Sequence, residues 1–139
     1  MRAVVQRVTS SKVSVDGKTV GEIGKGFNVL LGVVEGDTDE QAALLAGKIA
    51  RLRVFEDENG KMNLSVNDVG GEILAISQFT LSAAPDEANR LYELFCSELS
   101  ANGVRNVEKG IFGADMAVDI ANDGPVTIML DTDIWRKDK

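Results

Sequence analysis

Residues 24–41 read Gly-Lys-Gly-Phe-Asn-Val-Leu-Leu-Gly-Val-Val-Glu-Gly-Asp-Thr-Asp-Glu-Gln, and this stretch decides the fold class. Gly24-Lys25-Gly26 turns the chain into the apolar run Phe27–Val34. That run is far too short for a membrane span and is interrupted by Gly32, so it reads as a strand covered on both faces. Thr38-Asp39-Glu40-Gln41 then matches a capping box, in which hydroxyl and amide satisfy the first free N–H groups of a helix. The helix it opens carries Leu45, Ile49 and Leu52 on one stripe. A doubly covered strand leading straight into an amphipathic helix calls for a sheet with helices packed on it.

Outward from this segment, strands dominate. Val13 and Val15 face Val20 across Asp16-Gly17, a two-residue hairpin signal. Arg53–Glu56 and Lys61–Leu64 read as strands around an Asn59-Gly60 turn, and Gly70-Gly71 precedes an apolar strand, Glu72–Phe79. Pro85 suits the first position of a second helix, where Asp86 and Glu87 meet its positive end. Leu91, Phe95 and Leu99 give that helix its buried stripe, and Asn102-Gly103 ends it. Met116, Val118 and Ile120 alternate with Ala117, Asp119 and Ala121 in a half-buried strand. A turn at Asn122-Asp123-Gly124-Pro125 then leads to a last strand, Val126–Leu130, and Ile134 and Trp135 are candidates to dock the polar tail. The reading is α+β: a single domain over residues 1–139, a curved, barrel-like, mostly antiparallel or mixed sheet packed by two α-helices.

Composition narrows the chemistry. The chain of 139 residues has no histidine and one cysteine, with a net charge of −7. Imidazole-based triads and His metal ligands are therefore excluded, as are an intrachain disulfide and a Cys-rich zinc site. The first residues contain no secretory apolar core, because Arg2, Gln6, Arg7 and Lys12 break it, so the expected compartment is the cytoplasm. An acidic balance argues against a broad nucleic-acid surface; any such contact should be small and local.

Three tempting motifs fail. Gly17-Lys18-Thr19 lacks the upstream phosphate-loop glycine, where Lys12 stands, and lies in a hairpin. Asp57, Asn59 and Gly60 imitate part of a calcium loop, yet Phe55 occupies its first ligand position. Cys96 belongs to the apolar stripe of the second helix and reads as core. No metal and no cofactor are expected.

Two segments keep a chemical reading beside a structural one. Ser77-Gln78-Phe79-Thr80-Leu81 ends a buried strand, where hydroxyls and an amide either satisfy the sheet's last backbone groups or ring a polar pocket. In Asn122-Asp123-Gly124-Pro125-Val126-Thr127, Pro125 either starts a strand after an ordinary turn or follows a cis bond that would make a stiff main-chain wall.

Taken together, these segments resemble the D-aminoacyl-tRNA deacylase family. The likeness begins at Gln6-Arg7-Val8 and continues through Gly24–Gly32, Lys61-Met62-Asn63-Leu64, Ser77–Leu81, Phe112–Met116 and Asn122–Thr127. It covers nearly the whole chain in order, and the pairing of Ser77–Leu81 with Asn122–Thr127 is its specific part. The resemblance implies a homodimer that hydrolyses the ester joining a D-amino acid, or glycine, to the 3′-terminal adenosine of tRNA. It implies that Gly124-Pro125 is a cis dipeptide entering the partner's pocket as a chiral selector, with Arg7 holding it. Ser77, Gln78, Phe79 and Thr80 would surround the ester, and Phe112 and Met116 would line the adenosine pocket. The partner would be the CCA end of aminoacyl-tRNA, with no membrane and no metal involved.

With no histidine to serve as base, a Thr80 nucleophile is less favoured than water attack assisted by the ribose 2′-hydroxyl. The alternatives are a non-catalytic binder of acylated nucleotide ends and an esterase for small D-amino-acid esters. One departure stands out: Ser82-Ala83-Ala84 runs directly into Pro85, where the family pattern carries a longer segment, either deleted or left out of the sequence.

Overall fold

The computed structural model describes residues 1–78 and 84–136. β1 (Arg2–Val15) is its spine. Asp16 and Gly17, at φ of 51° and 80°, fold it back into β2 (Lys18–Ile23), as the hairpin signal predicts. One edge of β1 carries β2 along its second half and β3 (Gly26–Gly32) along its first. Its other edge pairs antiparallel with β8 (Ala117–Asp131). Beyond β3 the sheet turns parallel, through β6 (Glu72–Ser77) to β7 (Val107–Lys109). A separate small hairpin is made by β4 (Phe55–Glu56) and β5 (Met62–Leu64). The helices are α1 (Asp39–Arg51), α2 (Pro85–Ala101) and a short α3 (Thr132–Arg136).

The period-two alternation of strands splits the apolar residues between two faces. Phe27, Val29 and Leu31 of β3, with Ile73 and Ala75 of β6, share a core with α1 and α2. Leu74 and Ile76 turn the other way and meet Val8, Val13 and Ile23. β2 lies over this second face: a Cβ on Gly21 would stand 2.8 Å from the carbonyl oxygen of Lys109 on β7. The two ends of the strand order β2-β1-β3-β6-β7 thus approach each other, and the sheet is barrel-like. The doubly covered strand and the capping box at Thr38 and Gln41 are both present.

Several boundaries differ from the expectation. Asn122–Pro125 does not separate two strands; β8 runs through it as one element of 15 residues. Gln6 pairs with Thr127 and Val8 with Asn122, so five residue steps of β8 oppose two of β1. The excess bulges out while pairing continues on either side, which a local turn signal cannot foretell. β4 is shorter than Arg53–Glu56, and β6 ends at Ser77, with Gln78 outside it. Ile134 is 61% exposed and does not dock; the tail is tied instead through buried Thr132, whose hydroxyl accepts from the N-terminal ammonium at 3.0 Å.

The parallel β3–β6 pair opens where Gly26 faces Glu72. Gly26 has φ of +155°, and a Cβ there would sit 1.8 Å from the Glu72 carbonyl oxygen. Gly26→Ala is therefore expected to destabilise the fold by more than about 3 kcal/mol, read as a lowered denaturant midpoint.

Candidate active site

The parallel pairing that begins at Gly26 ends with Leu31 opposite Ser77. Beyond that point the ladder stops, and a cavity of about 460 Å³ opens between the sheet end and the start of α2. Ser77, Gln78, Phe112 and Met116 line it together, with Val33 and Ala88 beside them. An apolar wall with a few polar groups at one end is the common form of a small-ligand site. The N–H of Gln78 is not free: it donates to the carbonyl of Leu31 at 2.8 Å. Phe79 and Thr80 lie outside the described residues, as does the junction after Leu81.

Phe112 and Met116 sit on the connection between β7 and β8, which is held from behind by α2. Tyr92 is 1% exposed, and its hydroxyl donates to the carbonyl of Ala75 on β6 at 2.7 Å. The backbone of Gly110 lies beside the same phenolic oxygen. The Tyr92 ring lies 6.4 Å from that of Phe112, tilted by 35°. Burial pushes the Tyr92 hydroxyl well above the ordinary phenol range, so it stays a donor at any working pH. Burial likewise pushes the Cys96 thiol up to about 12, consistent with its reading as core.

Arg7, Gly124 and Pro125 are not on this cavity. Arg7 points from β1 into the interior, 5% exposed. Its Nε donates to the carbonyl of Asp123 at 3.1 Å and faces the Asp123 carboxylate at 3.4 Å, while Nη1 donates to the carbonyl of Val54. The Gly124-Pro125 bond is cis, and both residues are exposed. Arg7 is level with Phe27, whereas Ser77 is level with Leu31, four residues along β3. Strand rise makes that about 13 Å, and the three strand spacings from β8 to β6 add about 14 Å sideways. Within one chain, the turn and the cavity are separate features.

Sequence reasoning missed Val33, Ala88 and Asp115 as lining residues. Val33 had a usable signal, since it stands near the end of the same apolar run that pairs with the strand of Ser77. Ala88 had none, because a small residue on a helix reads as packing. Among the described residues no group of three His, Cys, Asp or Glu could hold a metal ion, and no helix is long and apolar enough to cross a membrane.

The family model described as D-Tyr-tRNA(Tyr) deacylase matches residues 4–131. The chain is 53% identical to a D-aminoacyl-tRNA deacylase of Geobacter sulfurreducens and 52% identical to one of Thermus aquaticus, over 95% of each chain in both cases. These alignments run over 146 positions, more than the 139 residues of this chain, so each relative has residues with no counterpart here. A solved structure titled c-Myc DNA Unwinding Element Binding Protein is similar at a TM-score of 0.89 and 42% identity, covering 94% of this chain and 98% of that one. A probable eukaryotic D-amino acid tRNA deacylase, at 19% identity and a TM-score of 0.76, shares the fold over 93% of this chain and 97% of its own.

Tyr92→Phe keeps the ring against Phe112 and removes a buried hydroxyl that donates to the carbonyl of Ala75. Denaturant unfolding should show a loss of about 1–3 kcal/mol.

Proposed function

The chain belongs to the D-aminoacyl-tRNA deacylase family and is a hydrolase that deacylates D-aminoacyl-tRNA; from that premise we propose that it acts as a homodimer, the Gly124-Pro125 turn of each subunit entering the cavity of the other. The bond cleaved joins a D-amino acid, or glycine, to the 3′-terminal adenosine. Ser77, Gln78, Phe79 and Thr80 surround the ester, Phe112 and Met116 hold the adenosine, and Arg7 fixes the turn.

One observation carries this reading: an exposed turn tied down by a buried guanidinium stands roughly 14 Å to the side of the cavity it would serve. A second copy is the natural way to unite the two. Enantiomers share hydrophobicity and charge, so only position separates them. When the α-amino and ester groups are both fixed, an L side chain must enter space that a D side chain avoids. Main-chain atoms filling that space reject every L residue whatever its chemistry, while glycine has nothing to collide.

An aminoacyl ester is already activated, so orientation does much of the work. The oxygen of a water molecule adds to the ester carbonyl carbon. The tetrahedral intermediate collapses with cleavage of the bond to the ribose 3′-oxygen, which takes up a proton, leaving free amino acid and tRNA. The neighbouring 2′-hydroxyl assists the proton transfer. Backbone N–H groups stabilise the oxyanion, and that of Gln78, engaged with Leu31, is not one of them. Contact limited to the CCA end reconciles a net charge of −7 with an RNA substrate, since few phosphates are neutralised. Such a substrate makes the cytoplasm its compartment.

Hydrolysis of D-Tyr-tRNA, L-Tyr-tRNA and a small D-Tyr ester tests the reading. Rapid loss of D-Tyr-tRNA alone is expected. Equal turnover of both D esters would make the protein a general D-esterase, and absence of turnover a binder. Arg7→Ala should narrow the preference for D-Tyr-tRNA over L-Tyr-tRNA by about ten-fold or more, because small displacements of a positioning group have large kinetic effects. Thr80→Ala should keep turnover within about ten-fold of the unaltered enzyme; complete loss with binding intact would restore a threonine nucleophile.

A further inference from the structure

We propose that Gly110 is a specificity-determining residue for the nucleoside end of the substrate, acting by reserving the slot in which the Met116 thioether lies. The inference rests on the reading of Phe112 and Met116 as the adenosine wall. Gly110 follows β7 and precedes the segment carrying both residues. Its φ is not among the positive values that favour glycine, so backbone conformation does not explain the residue. Space does. A Cβ at Gly110 would stand 2.5 Å from the Met116 Sδ and 3.6 Å from its Cε, with Val13 Cγ2 behind at 3.8 Å.

Two further contacts keep the slot where it is. The backbone of Gly110 lies beside the oxygen of Tyr92, which is itself anchored to Ala75 on β6. Tyr92 also backs the Phe112 ring. In such a collision Met116 yields, because an unbranched thioether side chain turns easily about its bonds. Met116 is packed against the buried cluster of Val8, Val13, Leu74 and Ile76 on its inner side. The free direction is the cavity it lines. In the native chain the absent Cβ leaves that space to the thioether, and Met116 and Phe112 both line the cavity, one offering a polarizable sulfur and the other an aromatic ring. A flat purine suits such a lining. With a methyl group at residue 110, sulfur would occupy part of the base's volume.

The experiment is a double-mutant cycle on the full chain, reading KM and kcat for D-Tyr-tRNA together with the melting temperature. Gly110→Ala is expected to raise KM about ten-fold with kcat changed less than about two-fold. Added to Met116→Ala, the same substitution should change KM by less than about two-fold, since the colliding atoms are gone. An equal rise in both backgrounds would overturn the proposal, as would an unchanged KM in Gly110→Ala while Met116→Ala raises it. If Met116→Ala itself leaves KM unaltered, the adenosine-wall reading falls and takes this inference with it. Should Gly110→Ala melt well below the unaltered protein, the double substitution decides: removing the thioether must restore the melting temperature, and failure to do so makes Gly110 merely structural.

Discussion

A buried guanidinium joins three parts of this chain. From the middle of β1, Arg7 reaches the carbonyl of Val54 ahead of β4 and the carbonyl and carboxylate of Asp123 within β8. A charge so enclosed is tolerable only when its donors are used, and the planar fork of arginine can serve acceptors on two sides at once. Lysine would bring one compact charge and could not span both. The bulge of β8 is held at this point, where five residue steps oppose two. Everything β8 presents to its surroundings at Gly124 and Pro125 depends on that anchor.

The cavity depends on a different constraint. Because β3 and β6 run parallel, their C-terminal ends coincide, and Ser77 and Gln78 of one emerge beside Val33 of the other. The strands behind them are covered on both faces, by helices on one side and by the curled-over β2 on the other. This leaves the sheet end as a place where Ser77 and Gln78 meet an apolar wall. α2 completes the site indirectly: its Tyr92 clamps the connection that carries Phe112 and Met116. A rigid clamp behind a mixed apolar and polar wall suits a substrate whose ester must be held in one orientation.

The two constraints act at opposite levels of the same sheet, and this separation gives the molecule its division of labour. One end opens a cavity; the other exposes Gly124 and Pro125 to the surroundings. A net charge of −7 is a poor match for a broad nucleic-acid seat.

Much of this was legible from local pattern. The capping box at Thr38, the hairpin at Asp16-Gly17, the stripe of α2 and the doubly covered strand at Phe27 each follow from turn chemistry or periodicity, because those forces act between residues close in sequence. The absence of histidine likewise settled which catalytic apparatus the chain could not have. What sequence alone could not supply were distances between segments far apart in the chain. It could not show that Asn122–Pro125 continues a strand, since that strand is made by pairing with β1, more than a hundred residues away. It gave no hint that the Gln78 N–H is already engaged, nor that Gly110 leaves room for a sulfur atom. Those facts belong to packing, where the identity of a neighbour is decided by the whole sheet's curvature and register.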